Sequence, residues 1–191
     1  MLAKEMFYNK VRNLLILILI SITSNSFAEI KDKIIQNLED TTNISFNFEQ
    51  NINGKIENGN CVIQYPKKIY CNYDLADQKI LVSNGNSLVI KTNTSYYLYP
   101  LDRTPLNLIL DKKFLVSKIK VLNERIIDEK FVNYKFFEKD NEINIFFNKT
   151  SYELIGWQTL DIYQNLSITY ISKIKKNKKL KKKLFDLPQQ N

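Results

Sequence analysis

From residue 29 onward, apolar positions fall at helical spacing in only two places and alternate with polar ones almost everywhere else. The first helical stretch is "EIKDKIIQNLED", Glu29 to Asp40, with Ile30, Ile34, Ile35 and Leu38 on one stripe. The second is "TPLNLILDKKFLV", Thr104 to Val116. Here Thr104 is placed to cap, Pro105 suits a first helical position, and Leu106, Ile109 and Leu110 form the apolar face. Between them, Ile44, Phe46 and Phe48 alternate with Ser45, Asn47 and Glu49, the pattern of a half-buried strand. "CVIQY" and "IYCNY" are short strands joined through Pro66-Lys67-Lys68. "QKILVSNGNSLVIK", Gln78 to Lys91, is a hairpin around Asn84-Gly85, and "SYYLYPL", Ser95 to Leu101, is a further strand. After the second helix, strands are expected near Ile119–Ile127, Phe131–Phe137 and Glu142–Phe147. "YELIGWQTLDIY" and "LSITYISKIK" complete the series.

The sequence therefore reads as a helix, about six strands, a helix and about five strands. Short turns between successive strands make the sheet antiparallel and large. Two helices cannot cover both faces of such a sheet. It must hide its apolar face by curling, which gives a barrel or an incomplete barrel with the helices at its mouth; a two-sheet sandwich is the alternative. No internal repeat or Gly/Ser linker marks a boundary, so residues 29–191 are expected to form one domain.

The first 28 residues change the setting. Lys4, Lys10 and Arg12 precede the apolar run Leu14–Ile22, and Ser26 and Ala28 make a small-x-small site. This is the pattern of a cleavable signal peptide, and the run is shorter than the roughly 20 residues of a membrane span. An uncleaved anchor is the alternative. Cleavage after Ala28 leaves 163 residues with no cysteine at the new N-terminus, hence a soluble protein outside the cytoplasm.

Ile, Lys and Asn exceed a third of the 191 residues while Arg occurs three times, so part of the net charge of +8 reflects composition. The rest is local: "KIKKNKKLKKK", Lys173 to Lys183, carries eight lysines, and without it the chain after residue 28 is close to neutral. This segment reads as a solvated strand end, a contact for anionic headgroups or an acidic partner, or a nucleic-acid contact. A secretory leader and the lack of a nucleic-acid fold signature disfavour the last. Histidine is absent, which removes the commonest general base and metal ligand. No carboxylate pair among Asp128, Glu129 and Asp161 sits in a catalytic motif, and no Gly-x-Ser-x-Gly occurs. Neither an enzyme nor a cofactor is expected.

Cys61 and Cys71 are too few for a zinc site and too far apart for a Cys-x-x-Cys redox pair. If Tyr65-Pro66-Lys67 is the turn, Gln64 faces Lys68 and Cys61 faces Cys71. In an oxidising compartment that predicts a cross-strand disulfide, with free buried thiols as the alternative.

The pieces also stand in a familiar order. "FNFEQ" (Phe46–Gln50), Gly59…Tyr65-Pro66, "ILVSNGNSLVI" (Ile80–Ile90), "TPLNLIL" (Thr104–Leu110), "LIGWQTLDIYQNLSITYI" (Leu154–Ile171) and Phe185…Pro188 together resemble the LolA family of periplasmic lipoprotein carriers. The resemblance implies an incomplete β-barrel with a helical lid over an apolar cavity. It also implies acylated lipoprotein as cargo, an ABC-type lipoprotein-releasing complex in the inner membrane as donor, and an outer-membrane lipoprotein acceptor, with the carrier itself a monomer. Combined with the alternation, it points Phe46, Phe48, Ile63, Tyr65, Ile69, Val82, Leu88 and Ile90 into the cavity and makes Leu106, Ile109 and Leu110 the lid face; taken singly each reads first as ordinary core, and the cavity claim concerns the set. Members often carry a basic residue before the turn proline that holds the lid. Here Tyr65 takes that place, with Lys67 and Lys68 after it; a latch through an arginine is ruled out at that position, and a tyrosine hydroxyl could replace it with a weaker hydrogen bond. Another periplasmic lipid or glycolipid binder, or an envelope-stress sensor on the same half-barrel, is the alternative function.

Overall fold

Alternation decides most of the architecture. The computed structural model describes residues 29–75, 77–138, 141–160 and 165–190. The expected leader, and Asp161, lie outside the described residues. Helix α1 covers residues 29–40. Six strands follow: β1 (Asn43–Ile52), β2 (Lys55–Gln64), β3 (Lys68–Tyr73), β4 (Ile80–Asn84), β5 (Ser87–Lys91) and β6 (Tyr96–Pro100). A 3-10 turn (Leu101–Arg103) leads to α2 (Leu106–Ile109) and α3 (Lys112–Val121). Five strands close the series: β7 (Arg125–Ile127), β8 (Phe131–Glu138), β9 (Asn141–Asn148), β10 (Leu154–Leu160) and β11 (Leu166–Lys176).

All eleven strands form one antiparallel sheet in the order β6-β5-β4-β3-β2-β1-β11-β10-β9-β8-β7. The first and last strands meet in the middle, β1 on β11. The edges β6 and β7 do not pair, so the barrel stays open, as the strand count and scarce helices implied. Curvature follows from the side chains. Tyr97 on β6 and Trp157 on β10 line the same cavity. On a flat sheet seven strand spacings would hold them roughly 34 Å apart.

The mid-chain helix differs from the single helix over Thr104–Val116. Leu110 ends α2, and Asp111 restarts the chain as the N-cap of α3, accepting from the Phe114 amide. Thr104 does not cap α2; its hydroxyl donates to the Leu101 carbonyl at 2.8 Å and closes the 3-10 turn. Because α3 runs on to Val121, the strand expected from Ile119 shrinks to Arg125–Ile127. Leu115, Val116 and Ile119 follow helical spacing, and packing of that stripe outweighs the β preference of the residues around it.

The helices are distributed unequally. Helix α1 is tied to the end of α3 through Lys31, which donates to the Leu122 carbonyl at 2.7 Å and pairs with Glu124. It reaches the β9–β10 turn through Asn37, which donates to the Ser151 carbonyl. Phe114 of α3 packs edge-on against Phe136 of β8. Together α1 and α3 fill the concave face of β7–β10, where Tyr134, Ile143, Ile145 and Phe147 are fully buried. Over the remainder of the concave face of β1–β6, beyond the contact of α1 with Ile44, the helix that lines the space is α2.

Candidate functional site

That difference leaves a cavity of about 390 Å³ between β1–β6, α2 and the near edge of β10–β11. Its inner end is apolar. Phe46 and Phe48 alternate inward from β1, and edge-to-face contacts fix both: Phe46 on Trp157 (6.3 Å between ring centres) and Phe48 on Tyr73 (4.9 Å). Phe48 faces Gly59 across the β1–β2 pair, and a Cβ there would come within 2.8 Å of its ring. Glycine at position 59 therefore leaves room both for the Phe48 ring and for the Asn72 carbonyl of β3, which a Cβ would also meet. Ile69, Leu88 and Ile90 continue the wall, and Leu106 and Ile109 of α2 roof it. Cys61 and Cys71 are directly opposite in register, joined as a disulfide, and also part of the wall.

Four residues of the expected set lie elsewhere. Ile63 is fully buried in the core next to the cavity, and Leu110 is core as well. Tyr65 projects into a separate crevice beside Asn37 and Leu38 of α1. Burial there pushes its phenol above the ordinary tyrosine range. Val82 is on the convex face, where its register partners are Tyr70 and Val89. At 1% exposure it is buried, yet outside the cavity. Its cover is the C-terminal segment: the Lys178 amide donates to Asn43 Oδ1 at one end and Lys91 Nζ to the Gln189 carbonyl at the other. Strand alternation fixes which residues share a face; it leaves open whether the outer face will also be covered.

The turn residue that touches the end of α2 is Lys67. Its amide donates to the Leu110 carbonyl at 2.9 Å, and its ammonium lies 3.4 Å from Asp111. Lys112, at the start of α3, donates to the Glu39 and Thr41 carbonyls at 2.8 Å and fastens the same junction to the end of α1. The junction between α2 and α3 is thus held from after the turn proline, by a lysine; among the described residues no hydrogen bond joins the Tyr65 hydroxyl to it, and the Lys112 ammonium lies 5.8 Å from the Tyr65 ring centre.

The outer end of the cavity is polar, which the alternation did not signal. On β11 the apolar residues Leu166, Ile168 and Tyr170 face outward and are exposed, while Ser167 and Thr169 face in. Gln50 donates to both inward hydroxyls, at 2.9 and 3.2 Å. Glu57, 3% exposed, pairs with Lys55 and Lys79. Burial alone would raise its pKa, but hydrogen bonds from Lys55 and Lys79 and their charges outweigh that and hold the carboxyl below its ordinary value. The Lys79 ammonium also lies 4.1 Å from the centre of the Tyr73 ring. Burial, and then the Glu57 charge, push the Tyr73 phenol up. The cavity thus runs from an apolar interior to a charged mouth, a gradient suited to an amphiphile. No group of three or more metal-ligating side chains occurs among the described residues.

A model of the family described as "Outer membrane lipoprotein carrier protein LolA" matches residues 39–188. The chain belongs to the LolA family. Among solved structures, a LolA superfamily protein from Nitrosomonas europaea is similar at 8% identity and a TM-score of 0.45, covering 84% of this chain and 97% of that one. An outer-membrane lipoprotein-sorting protein domain from Vibrio parahaemolyticus is similar at 9% identity and a TM-score of 0.48, covering 83% and 95%. The MucA/MucB complex of Pseudomonas aeruginosa is similar at 10% and 0.47, covering 84% and 61%. A search of curated proteins finds no match. The family's description is that of a lipoprotein carrier, and a lipid-binding or carrier role for the cavity agrees with it.

Proposed function

We propose that the protein is a periplasmic carrier that takes up the acyl chains of lipoproteins in the β1–β6 cavity and ferries them from the inner to the outer membrane. The observation that carries this reading is the apolar cavity left under α2 in a LolA-family chain. Residues 1–28 act as the leader that exports it, and residues 29–191 are the carrier domain, working as a monomer. Each methylene removed from water is worth about 0.8 kcal/mol, so one long acyl chain is worth on the order of 10 kcal/mol. A carrier has to replace that apolar surface, and Phe46, Phe48, Ile69, Leu88 and Ile90 offer it.

The volume of about 390 Å³ is near the low end of ligand cavities, which run roughly 300–1,000 Å³. A triacylated anchor needs more room, so α2 acts as the lid and moves outward on loading. Lys67 and Lys112 hold its far end in the closed state. Extraction from a bilayer needs an energy source, which an ATP-driven ABC-type complex in the inner membrane supplies; an outer-membrane acceptor takes the cargo on.

The test is reconstitution. Purified protein is added to inner-membrane vesicles that hold a triacylated lipoprotein and the transporter, with ATP. The expected result is lipoprotein in the soluble fraction as a one-to-one complex, and its reduction when Leu88 and Ile90 are replaced by aspartate. Lipoprotein that stays in the vesicles sinks the carrier role, and native mass spectrometry of protein taken from its own periplasm then identifies the ligand that the cavity does hold.

A further inference from the structure

The lysine run has a structure of its own. Lys173, Lys175 and Lys176 finish β11, and the chain then turns at Asn177 and crosses to the convex face. Asn177 fixes that turn. Its amide donates to the Asn43 carbonyl at 2.9 Å, and its side chain accepts from Thr42 and donates to the Asp40 carbonyl. Further on, Leu184 and Asp186 donate back to the carbonyls of Lys181 and Lys183, and Phe185 is buried. A block of like charges ordinarily repels itself into disorder. Here backbone bonds and a buried ring hold the block in place.

The lysines converge. Lys178, Lys181, Lys182 and Lys183 line an open concavity of about 480 Å³ with Lys68 of β3, and Asp186 is its one lining carboxylate. Among the described residues none of these five lysines has an ion-pair partner. The concavity is a net positive site, five lysines against one carboxylate, on the opposite side of the sheet from the cavity. Leu180, Leu184 and Phe185 stand among the lysines, so the lining mixes ammonium groups with apolar side chains. That mixture matches the boundary between headgroups and acyl chains better than it matches a free phosphate.

We propose that this concavity binds the phosphate-bearing headgroups of an anionic bilayer and seats the protein on the membrane by its C-terminal face. The site flanks the turn that holds the lid, since Gln64 and Lys68 on either side of residues 65–67 both line it. Membrane seating by this face does not depend on what the cavity carries.

The experiment is sedimentation with vesicles of phosphatidylcholine alone or of phosphatidylcholine with phosphatidylglycerol, at low and at high salt. Binding is expected only to the anionic vesicles, and to fall steeply as salt rises. Lys181→Gln with Lys182→Gln is expected to weaken binding about tenfold or more, at about 1 kcal/mol per lysine near a charged surface. Lys130→Gln with Lys149→Gln removes the same charge from the β7–β9 side and is expected to leave binding unchanged. Lys68→Gln, on a strand rather than in the C-terminal segment, is expected to weaken binding severalfold without touching how that segment folds. Absence of binding to anionic vesicles, or equal loss in both double variants, overturns the proposal. Release by millimolar inorganic phosphate or glycerol phosphate overturns the bilayer assignment in favour of a soluble phosphate.

Discussion

The two halves of the sheet are made from similar strands and end in different states. Over β7–β9, Val132, Tyr134, Phe136, Ile143, Ile145 and Phe147 point inward and pack into the buried core with α1 and α3. Over β1–β6, Phe46, Phe48, Ile69, Leu88 and Ile90 point inward just as regularly and face a cavity. The difference lies in the cover. Helix α3 has ten residues and spans about 15 Å, whereas α2 has four and spans about 6 Å. A single core sequence pattern thus gives a packed support on one side and a hollow on the other, and the hollow is set by how little helix covers it.

The contrast predicts unequal responses to the same kind of substitution. Phe147→Ala in the packed half should lower stability by about 3–5 kcal/mol in urea unfolding, because a buried void opens among fixed neighbours. Leu88→Ala in the hollow half should lower it by about 2 kcal/mol or less, since that side chain already borders open space. Equal losses would show that the cavity wall is packed as tightly as the support.

Next in size is the disulfide. Its two cysteines are 10 residues apart, so replacing Cys61 and Cys71 by serine should lower stability by somewhat less than the roughly 3 kcal/mol of a 15-residue loop. The loss should be confined to the hollow half, read as faster amide exchange in β2–β4 with β8–β9 unchanged.

The charged mouth adds a pH dependence. The folded pKa of Glu57 is lowered, so its contribution is present above the unfolded value of about 4.3 and is lost as pH falls through the folded value. Hydrogen bonding to Glu57, and then its charge, raise the pKa of Lys55. That contribution is present below the unfolded lysine value of about 10.4 and is lost as pH rises through the folded one. Glu57→Gln should therefore lower stability at pH 7, by about 1–2 kcal/mol, and flatten the acid limb of the stability curve. A wild-type acid limb of unchanged shape in the variant would mean that other carboxylates set it.

The smallest effect belongs to the end of α2. Lys67→Ala removes an ion pair between partly exposed groups and keeps the backbone bond to Leu110, so global stability should change by at most about 1 kcal/mol. Amide exchange in α2 should nonetheless quicken while α3 stays protected.

The sequence carried the strand series, the antiparallel order, the open barrel, the Asn84-Gly85 hairpin and the register that sets Gln64 against Lys68. Each of these follows from local pattern or from a short turn, where neighbours in sequence are neighbours in space. The inward directions of Phe46, Phe48, Ile69, Leu88 and Ile90 were legible for the same reason. Other features depended on chain distant in sequence. Val82 is buried on the wrong side for a cavity because residues 177–189 fold back over the convex face. The end of α2 is held by Lys67 because the helix breaks at Leu110, opposite the turn. Strand β11 turns its serine and threonine inward and its apolar residues out because the register with β1 sets Thr169 opposite Gln50 and Ser167 opposite Ile52, both on the inward face. Period-two alternation says which residues share a face. Which face is covered, by what and how completely is a matter of surface area supplied by other elements, and only the assembled sheet decides it.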